Sequence, residues 1–170
     1  MDLKAIVRSI PDFPKPGILF RDITTVLKEP GALRASVDEM AKLLRDVDFD
    51  LILGPESRGF IFGTPLAYNL GKGFVPVRKA GKLPYDTVKK EYSLEYGSSI
   101  IEMHRDAIKP GQKVIVADDL LATGGTAKAI AELVEEVGGF VAAFVFFIEL
   151  AALGGRETLR GYRIESALQY

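Results

Sequence analysis

The feature that most constrains this chain is the run of residues 114–126, in which an apolar segment leads into two adjacent carboxylates and a turn rich in glycine and threonine. Residues 114–117 are apolar and mostly β-branched, which is typical of a strand buried on both faces of a parallel sheet. Residues 122–126 can fold back so that backbone N–H groups, two hydroxyls and the positive end of a following helix converge on one anion. The run therefore predicts a site for a phosphorylated sugar.

Two familiar phosphate motifs are excluded. A Walker A loop requires a lysine in the turn, and none is present there. A dinucleotide fingerprint requires three spaced glycines, whereas Gly124 and Gly125 are adjacent. Asp118 and Asp119 only accept hydrogen bonds when ionised, so they can bind the vicinal diol of a ribose whose phosphate sits one turn further on.

This run resembles the phosphoribosyl-pyrophosphate (PRPP) motif of the type I phosphoribosyltransferases, which has hydrophobic residues followed by Asp-Asp and then by Thr-Gly-Gly-Thr. Further segments resemble the adenine-specific members, and together they cover nearly the whole chain. The resemblance implies that the sugar and its 5-phosphate are bound by Asp118, Asp119, Ala122, Thr123, Gly124, Gly125 and Thr126. The alternative is a strand, turn and helix with a chance acidic pair.

Length and charge suit one compact enzyme domain of residues 1–170. The net charge of −1 gives no general basic surface for nucleic acid and no membrane patch. The longest apolar run, residues 140–148, is too short to cross a bilayer, and the N-terminus lacks the apolar core of a signal peptide. We therefore expect a cytoplasmic protein that binds neither nucleic acid nor membrane.

Strand and helix patterns alternate along the chain. Residue spacing predicts helices over residues 2–10, 31–47, 60–70 and 127–137, and strands over 51–53, 74–77, 113–117, 140–148 and 162–167. This order predicts an α/β fold with a doubly wound, mainly parallel five-stranded sheet flanked by helices, and ligands bound at the carboxyl ends of the strands. The resemblance adds a small N-terminal hood of about residues 1–30 and a flexible catalytic loop of about residues 78–97.

A second loop, Gly54-Pro-Glu-Ser-Arg-Gly59, follows the first predicted strand. The guanidinium of Arg58 offers paired donors and stays charged, which suits pyrophosphate. By itself the segment also fits a glycine-rich turn with a surface arginine. The resemblance implies a pyrophosphate loop that includes Glu56, Ser57 and a catalytic Arg58, with a non-trans peptide bond near Glu56-Ser57.

Three cations, Arg78, Lys79 and Lys82, fall within five residues beside glycine and proline. This composition predicts a mobile basic loop, and a solvated surface loop is the plain alternative. The resemblance implies that these cations bind pyrophosphate while the loop closes over PRPP and excludes water. In the family's dimers such cations can also reach a neighbouring subunit's pyrophosphate, so the resemblance also implies a homodimer.

Proton transfer is assigned to Glu95 as a catalytic residue. Adenine must lose its N9 proton, and a carboxylate with a raised pKa can accept it; an exposed strand glutamate is the alternative. Tyr96 is expected to contact the sugar phosphate or the closed loop. His104, the single histidine, is the other titrating candidate, but nothing near it matches a functional position of the family.

Base recognition is assigned by resemblance to residues 17–22, the family's hood segment. Phe20 is expected to stack on the purine, while backbone groups of Leu19 and Arg21 read the edge of adenine and Leu150 closes the other face. A wrong purine would leave buried groups unpaired, at a cost of roughly 1–3 kcal/mol each. A hydrophobic core role for Phe20 is the alternative.

The predicted reaction is a purine-salvage step, Mg²⁺-dependent transfer of 5-phosphoribose from PRPP to N9 of adenine, giving AMP and pyrophosphate. Mg²⁺ is expected to be carried mainly by substrate oxygens and water rather than by direct protein ligands. Three alternatives remain: transfer to hypoxanthine, guanine, xanthine or orotate; a regulatory protein that binds PRPP or a nucleotide without turnover; and a structural α/β protein with no ligand.

Overall fold

The computed structural model describes residues 1–93 and 97–170, which form two units, Met1–Glu39 and Met40–Tyr170. The first unit contains α1 (Leu3–Ile6), β1 (Arg8–Pro11), β2 (Leu19–Asp22) and α2 (Thr24–Leu27), and α3 (Pro30–Leu43) begins in it. The predicted hood of about residues 1–30 falls within this unit.

The predicted helix over residues 2–10 is wrong beyond Ile6. Arg8 and Ile10 belong to β1, where they pair with Asp22 and Phe20 of β2 in an antiparallel ladder. The Arg8 guanidinium also lies 2.8 Å from the Asp22 carboxylate. Cross-strand pairing therefore overrides the helical pattern of the sequence.

The second unit is organised around a sheet in the order β5-β6-β4-β3-β7-β8-β9. Its strands are β3 (Leu51–Pro55), β4 (Gly73–Lys79), β5 (Thr87–Ser93), β6 (Ser98–His104), β7 (Lys113–Leu121), β8 (Phe140–Glu149) and β9 (Ile164–Gln169). Strands β4, β3, β7, β8 and β9 are parallel to one another, as predicted. Strand β6 pairs antiparallel with β4, and β5 pairs antiparallel with β6, so these two strands extend the β4 edge of the sheet.

Helices α4 (Arg58–Leu70) and α5 (Gly125–Glu136) cover opposite faces of this sheet. Phe144 and Phe146 of β8 belong to the buried cluster that includes Ile130 of α5. Phe147, which alternation turns to the other face, stacks on Phe62 of α4 with ring centroids 4.9 Å apart. A short 3₁₀ helix (Ala151–Leu153) and α6 (Gly155–Thr158) follow β8.

Two strands differ from the prediction. β7 continues to Leu121, so Asp118 and Asp119 lie within the strand rather than beyond it. Residues Thr87–Ser93, predicted as part of a flexible loop over 78–97, form β5 and pair with β6 along their full length. Within the described part of the chain, no helix is long and apolar enough to span a membrane.

Candidate active site

Two adjoining cavities, of about 400 and 600 Å³, open where β3 and β7 end. Both cavities are lined by Arg58, Tyr92, Asp118, Asp119 and Thr126. The aspartate pair of β7 thus forms a shared wall between them. This placement follows the rule that parallel α/β sheets bind ligands at the carboxyl ends of their strands.

The smaller cavity gathers most of the residues that were predicted to bind pyrophosphate. Its remaining lining comprises Pro55, Glu56, Ser57, Val77, Arg78, Lys79 and Ile101. The peptide bond Glu56-Ser57 is cis, as the sequence resemblance implied. Lys82 is not among the lining residues, but its Nζ lies 3.0 Å from the Glu56 carboxylate, at the border of this cavity.

Glu56 is surrounded by cationic and N–H groups of Arg78 and Lys79, which end β4 instead of belonging to a loop as predicted, and of Lys82 in the turn that follows. Its Oε1 accepts a 2.7 Å hydrogen bond from the backbone N–H of Lys79, and its Oε2 lies 3.5 Å from the Arg78 guanidinium. Although desolvation raises the pKa of Glu56, the Lys79 N–H and the Lys82 ammonium lower it overall. The carboxylate is therefore ionised and holds the cations beside the cavity.

Arg58 and Asp119 form an ion pair across the shared wall. The Arg58 Nε lies 2.8 Å from Asp119 Oδ2; the arginine side chain is 51% exposed and the aspartate 5%. Gly59 permits this packing, since a Cβ there would lie 2.5 Å from Cδ of Pro55 and 3.1 Å from the Asp118 carboxylate. The guanidinium consequently remains open to a ligand while its partner is buried.

Burial raises the pKa of both aspartates. Desolvation, followed by the negative charge of Asp119, raises the pKa of Asp118 well above its ordinary value. Desolvation also raises the pKa of Asp119, and the Arg58 charge opposes that shift. The Asp118 Oδ1 accepts a 2.8 Å hydrogen bond from the Asp119 backbone N–H. Hydroxyl donors that replace lost hydration would favour the ionised pair, as a ribose diol would.

The larger cavity contains the glycine-rich turn. Its remaining lining comprises Ser93, Leu120, Leu121, Ala122, Thr123, Gly124, Gly125, Ala127 and Phe146. Gly124 has φ +85° and precedes α5, so the backbone turns sharply and the helix N-terminus faces the cavity. Free N–H groups and the helix dipole at this position favour an anion.

Close packing holds this turn in place. A Cβ on Gly124 would lie 2.9 Å from the carbonyl oxygen of Gly155, and one on Gly155 would lie 2.5 Å from the carbonyl oxygen of Ala122. Neither distance is compatible with a side chain. The two backbones therefore touch only because both positions are glycine.

Comparisons with known proteins agree with this architecture. The family model described as "Phosphoribosyl transferase domain" matches residues 22–160. The adenine phosphoribosyltransferase of Acetivibrio thermocellus is 61% identical over 171 residues, with 100% of each chain covered. The chain belongs to the adenine phosphoribosyltransferase family.

Solved structures of adenine phosphoribosyltransferases have the same fold. That from Thermoanaerobacter pseudethanolicus is 54% identical, with a TM-score of 0.97 over 99% of this chain and 98% of that one. That from Saccharomyces cerevisiae, complexed with an imino-altritol bisphosphate and adenine, is 42% identical, with a TM-score of 0.92 over 98% and 96%. The type I phosphoribosyltransferase fold predicted from the sequence is confirmed.

The residues expected to recognise the base in an adenine phosphoribosyltransferase come from separate segments of the chain. Leu19, Phe20 and Arg21 form β2 of the N-terminal unit, where Phe20 packs edge-to-face on Phe13 with centroids 5.1 Å apart. Leu150 follows β8, and its N–H donates a 2.9 Å hydrogen bond to the Leu121 carbonyl. Glu95 and Tyr96 lie outside the described residues.

Sequence reasoning missed Tyr92. This residue of β5 lines both cavities, and its hydroxyl accepts a 3.2 Å hydrogen bond from Thr126 Oγ1. The available signal was the alternation that places Tyr92 on the same side of a strand as the apolar Val88. His104, in β6, lines neither cavity among the residues described.

Proposed function

We propose that this chain is an adenine phosphoribosyltransferase, which transfers 5-phosphoribose from PRPP to N9 of adenine and releases pyrophosphate. The observation that carries the proposal is the wall of Asp118 and Asp119 between an arginine- and lysine-lined cavity and a glycine-rich anion site. PRPP has the matching order of groups, because its ribose diol lies between a pyrophosphate and a 5-phosphate. Relatives about 60% identical carry the name of this activity.

Charge development governs the reaction. As the bond from C1 to pyrophosphate breaks, negative charge grows on the leaving group and positive charge on the ribose ring. Arg58, which lines both cavities and has half of its side chain exposed, stabilises the first charge through its paired donors. Asp118 and Asp119 orient the ring through its hydroxyls, while the 122–126 turn fixes the 5-phosphate.

The acceptor half of the site rests on the sequence resemblance. Glu95 takes the N9 proton, Tyr96 contacts the sugar phosphate or the closed loop, and Phe20 stacks on the base. Backbone groups of Leu19 and Arg21 read the adenine edge, and Leu150 covers the other face. The adenine bound in the Saccharomyces cerevisiae structure supports this choice of base.

Mg²⁺ is the proposed cofactor, bound mainly through substrate oxygens and water. Within the described residues, no group of three or more potential metal ligands occurs. Asp118 and Asp119 nevertheless supply adjacent hard oxygen atoms beside the cationic cavity, which fits a metal that keeps most of its ligands from substrate and solvent. Bound Mg²⁺ would neutralise charge on the departing pyrophosphate.

A homodimer, implied by the family resemblance, and a cytoplasmic location complete the proposal. In the dimer, the basic residues Arg78, Lys79 and Lys82 serve a pyrophosphate site together with Glu56 and Ser57. Sedimentation of the purified protein at several concentrations tests the dimer: a single species with the mass of one chain would contradict it.

The activity is tested by incubating purified protein with PRPP, Mg²⁺ and, separately, adenine, hypoxanthine, guanine, xanthine or orotate. We expect AMP and pyrophosphate from adenine and little product from the other bases. The Asp118→Asn/Asp119→Asn double variant is the matched control, because it preserves side-chain size, and we expect it to lose activity and PRPP affinity. Binding of PRPP without turnover by the wild type would favour a regulatory protein instead.

A further inference from the structure

Glu102 is a buried carboxylate whose role the proposed reaction does not assign. It lies in β6, is 1% exposed, and is paired in register with Arg78 of β4 on one side and Lys89 of β5 on the other. Its Oε2 is 3.7 Å from the Lys89 ammonium. A buried charge of this kind is costly unless hydrogen bonds compensate it.

The compensating hydrogen bonds come from the start of the basic loop. Glu102 Oε1 accepts hydrogen bonds of 3.0 Å from the N–H of Lys82 and 2.8 Å from the N–H of Leu83. Burial raises the pKa of Glu102, but the N–H groups of Leu83, Gly81 and Lys82 lower it overall. The ionised carboxylate therefore fixes the backbone of the 81–83 turn.

Lys82 connects this turn to the smaller cavity. While its backbone N–H is held by Glu102, its side-chain Nζ lies 3.0 Å from Glu56, a residue of the cavity wall. Glu102 thus binds the backbone of Lys82, and Glu56 binds the end of its side chain. The direction of the lysine side chain depends on the backbone that Glu102 fixes.

We propose that Glu102 is a positioning residue for the pyrophosphate half of the substrate, acting through the 81–83 turn to keep the Lys82 ammonium at the smaller cavity. The inference rests on the proposed function, because it assumes that this cavity receives pyrophosphate. Among the described residues, Glu102 itself lines neither cavity. A purely structural role would instead support both cavities equally.

The distinguishing experiment compares two products that use different parts of the site. Binding of pyrophosphate with Mg²⁺, and separately of AMP, is measured by titration calorimetry for wild type and Glu102→Gln. We expect pyrophosphate affinity to fall, and the KM for PRPP to rise, about three- to fivefold, which corresponds to the free energy of one partly exposed ion pair. The affinity for AMP should not change. Equal weakening for both products would overturn the proposal.

The matched control is Glu91→Gln, the same chemical change at an exposed position of the same hairpin, where the carboxylate bonds to Ser98. Since Glu91 lines neither cavity among the described residues, we expect wild-type values for both products. Lack of turnover by the wild type would count against the proposed function. A Glu102→Gln variant that matches this control, beside an active wild type, would reject the Glu102 role alone.

A double-mutant cycle tests the route through Lys82. In a Lys82→Met background, Glu102→Gln should cause no further loss of pyrophosphate affinity, whereas independent roles would give additive losses. Gly81→Ala provides a second variant if Glu102→Gln does not fold. Gly81 has φ +88° and open space around it, so alanine strains only the turn. Unchanged pyrophosphate affinity in Gly81→Ala would contradict the proposal.

Discussion

The glycine-rich turn and the basic loop serve adjoining cavities, but different forces hold them. The turn at residues 122–126 contains no cation and is fixed by backbone contact with Gly155. The basic loop is fixed by carboxylates, with Glu56 holding the Lys82 side chain and Glu102 holding its backbone. Close backbone packing therefore holds the glycine-rich turn, whereas ion pairs and hydrogen bonds to carboxylates hold the basic loop.

This difference predicts how each half responds to a ligand. A backbone cradle offers its N–H groups without rearrangement, which lowers the cost of binding. In the proposed reaction, the cations would exchange carboxylate partners for pyrophosphate oxygens, and Arg58 would similarly share its guanidinium between Asp119 and the ligand. The turn should therefore be sensitive to added volume, and the cationic half to changes in charge geometry.

The largest expected effect follows from adding volume beside the turn. In Gly155→Ala, the new Cβ would overlap the Ala122 carbonyl and the Leu121 side chain at 2.5 and 2.7 Å. Displacement of the turn by about 1 Å should lower kcat/KM for PRPP by about 100-fold. Steady-state kinetics with adenine in excess measure this change in kcat/KM. The control is Ala152→Val, which adds volume at an exposed position three residues before Gly155. Wild-type kinetics in Gly155→Ala would show that the turn is not fixed sterically.

Sequence patterns anticipated the parts of this site that lie close together in the chain. The Asp118-Asp119 pair and the glycine-rich turn belong to one short motif at the end of a strand, and the family resemblance implied the Glu56-Ser57 cis bond. The five parallel strands were also predictable, because buried strands give apolar runs bounded by turn residues. Their strand limits shifted by only a few residues.

The missed parts depend on contacts between distant segments. β5 carries Lys89, Lys90 and Glu91, so its sequence indicates a polar loop, and only pairing with β6 makes it a strand. Glu102 reaches the N–H of Lys82, twenty residues away, and Gly155 meets the turn from beyond β8. Such long-range packing overrides local propensity, and no local pattern encodes it.

A smaller effect is expected from changing charge geometry without changing charge. Arg58→Lys keeps a cation but loses the planar fork and its short contact with Asp119. We expect kcat to fall about tenfold, because a single ammonium stabilises developing pyrophosphate charge less well. Pre-steady-state product formation separates this step from product release. Lys28→Arg, on the N-terminal unit, is the charge-preserving control. An unchanged rate of the chemical step in Arg58→Lys would show that Arg58 does not stabilise the developing charge through its planar fork.

The smallest expected effect concerns stability at the wall between the two halves. Asp118 lacks the steric support of the turn, and the nearby Arg58 guanidinium forms its ion pair with Asp119. Its pKa is raised, chiefly by desolvation, so the folded protein retains a proton there that the unfolded chain releases above the ordinary value of 3.8. The stability contributed by that proton is present below pH 3.8 and is lost as pH rises toward the folded pKa.

Asp118→Asn removes this titration while keeping the size of the side chain and an oxygen that can accept the Asp119 N–H. We therefore expect the variant to unfold at nearly the wild-type free energy near pH 4 and to be more stable than the wild type at pH 7, because it has no buried carboxyl group to ionise. Urea unfolding at the two pH values measures the difference. Asp86→Asn, at an exposed aspartate paired with Arg105, is the control and should change by less than about 0.5 kcal/mol at either pH. A variant no more stable than the wild type at pH 7 would mean that ionised Asp118 does not destabilise the fold. The contrast between a steric half and a charged half would then not extend to the aspartates that join them.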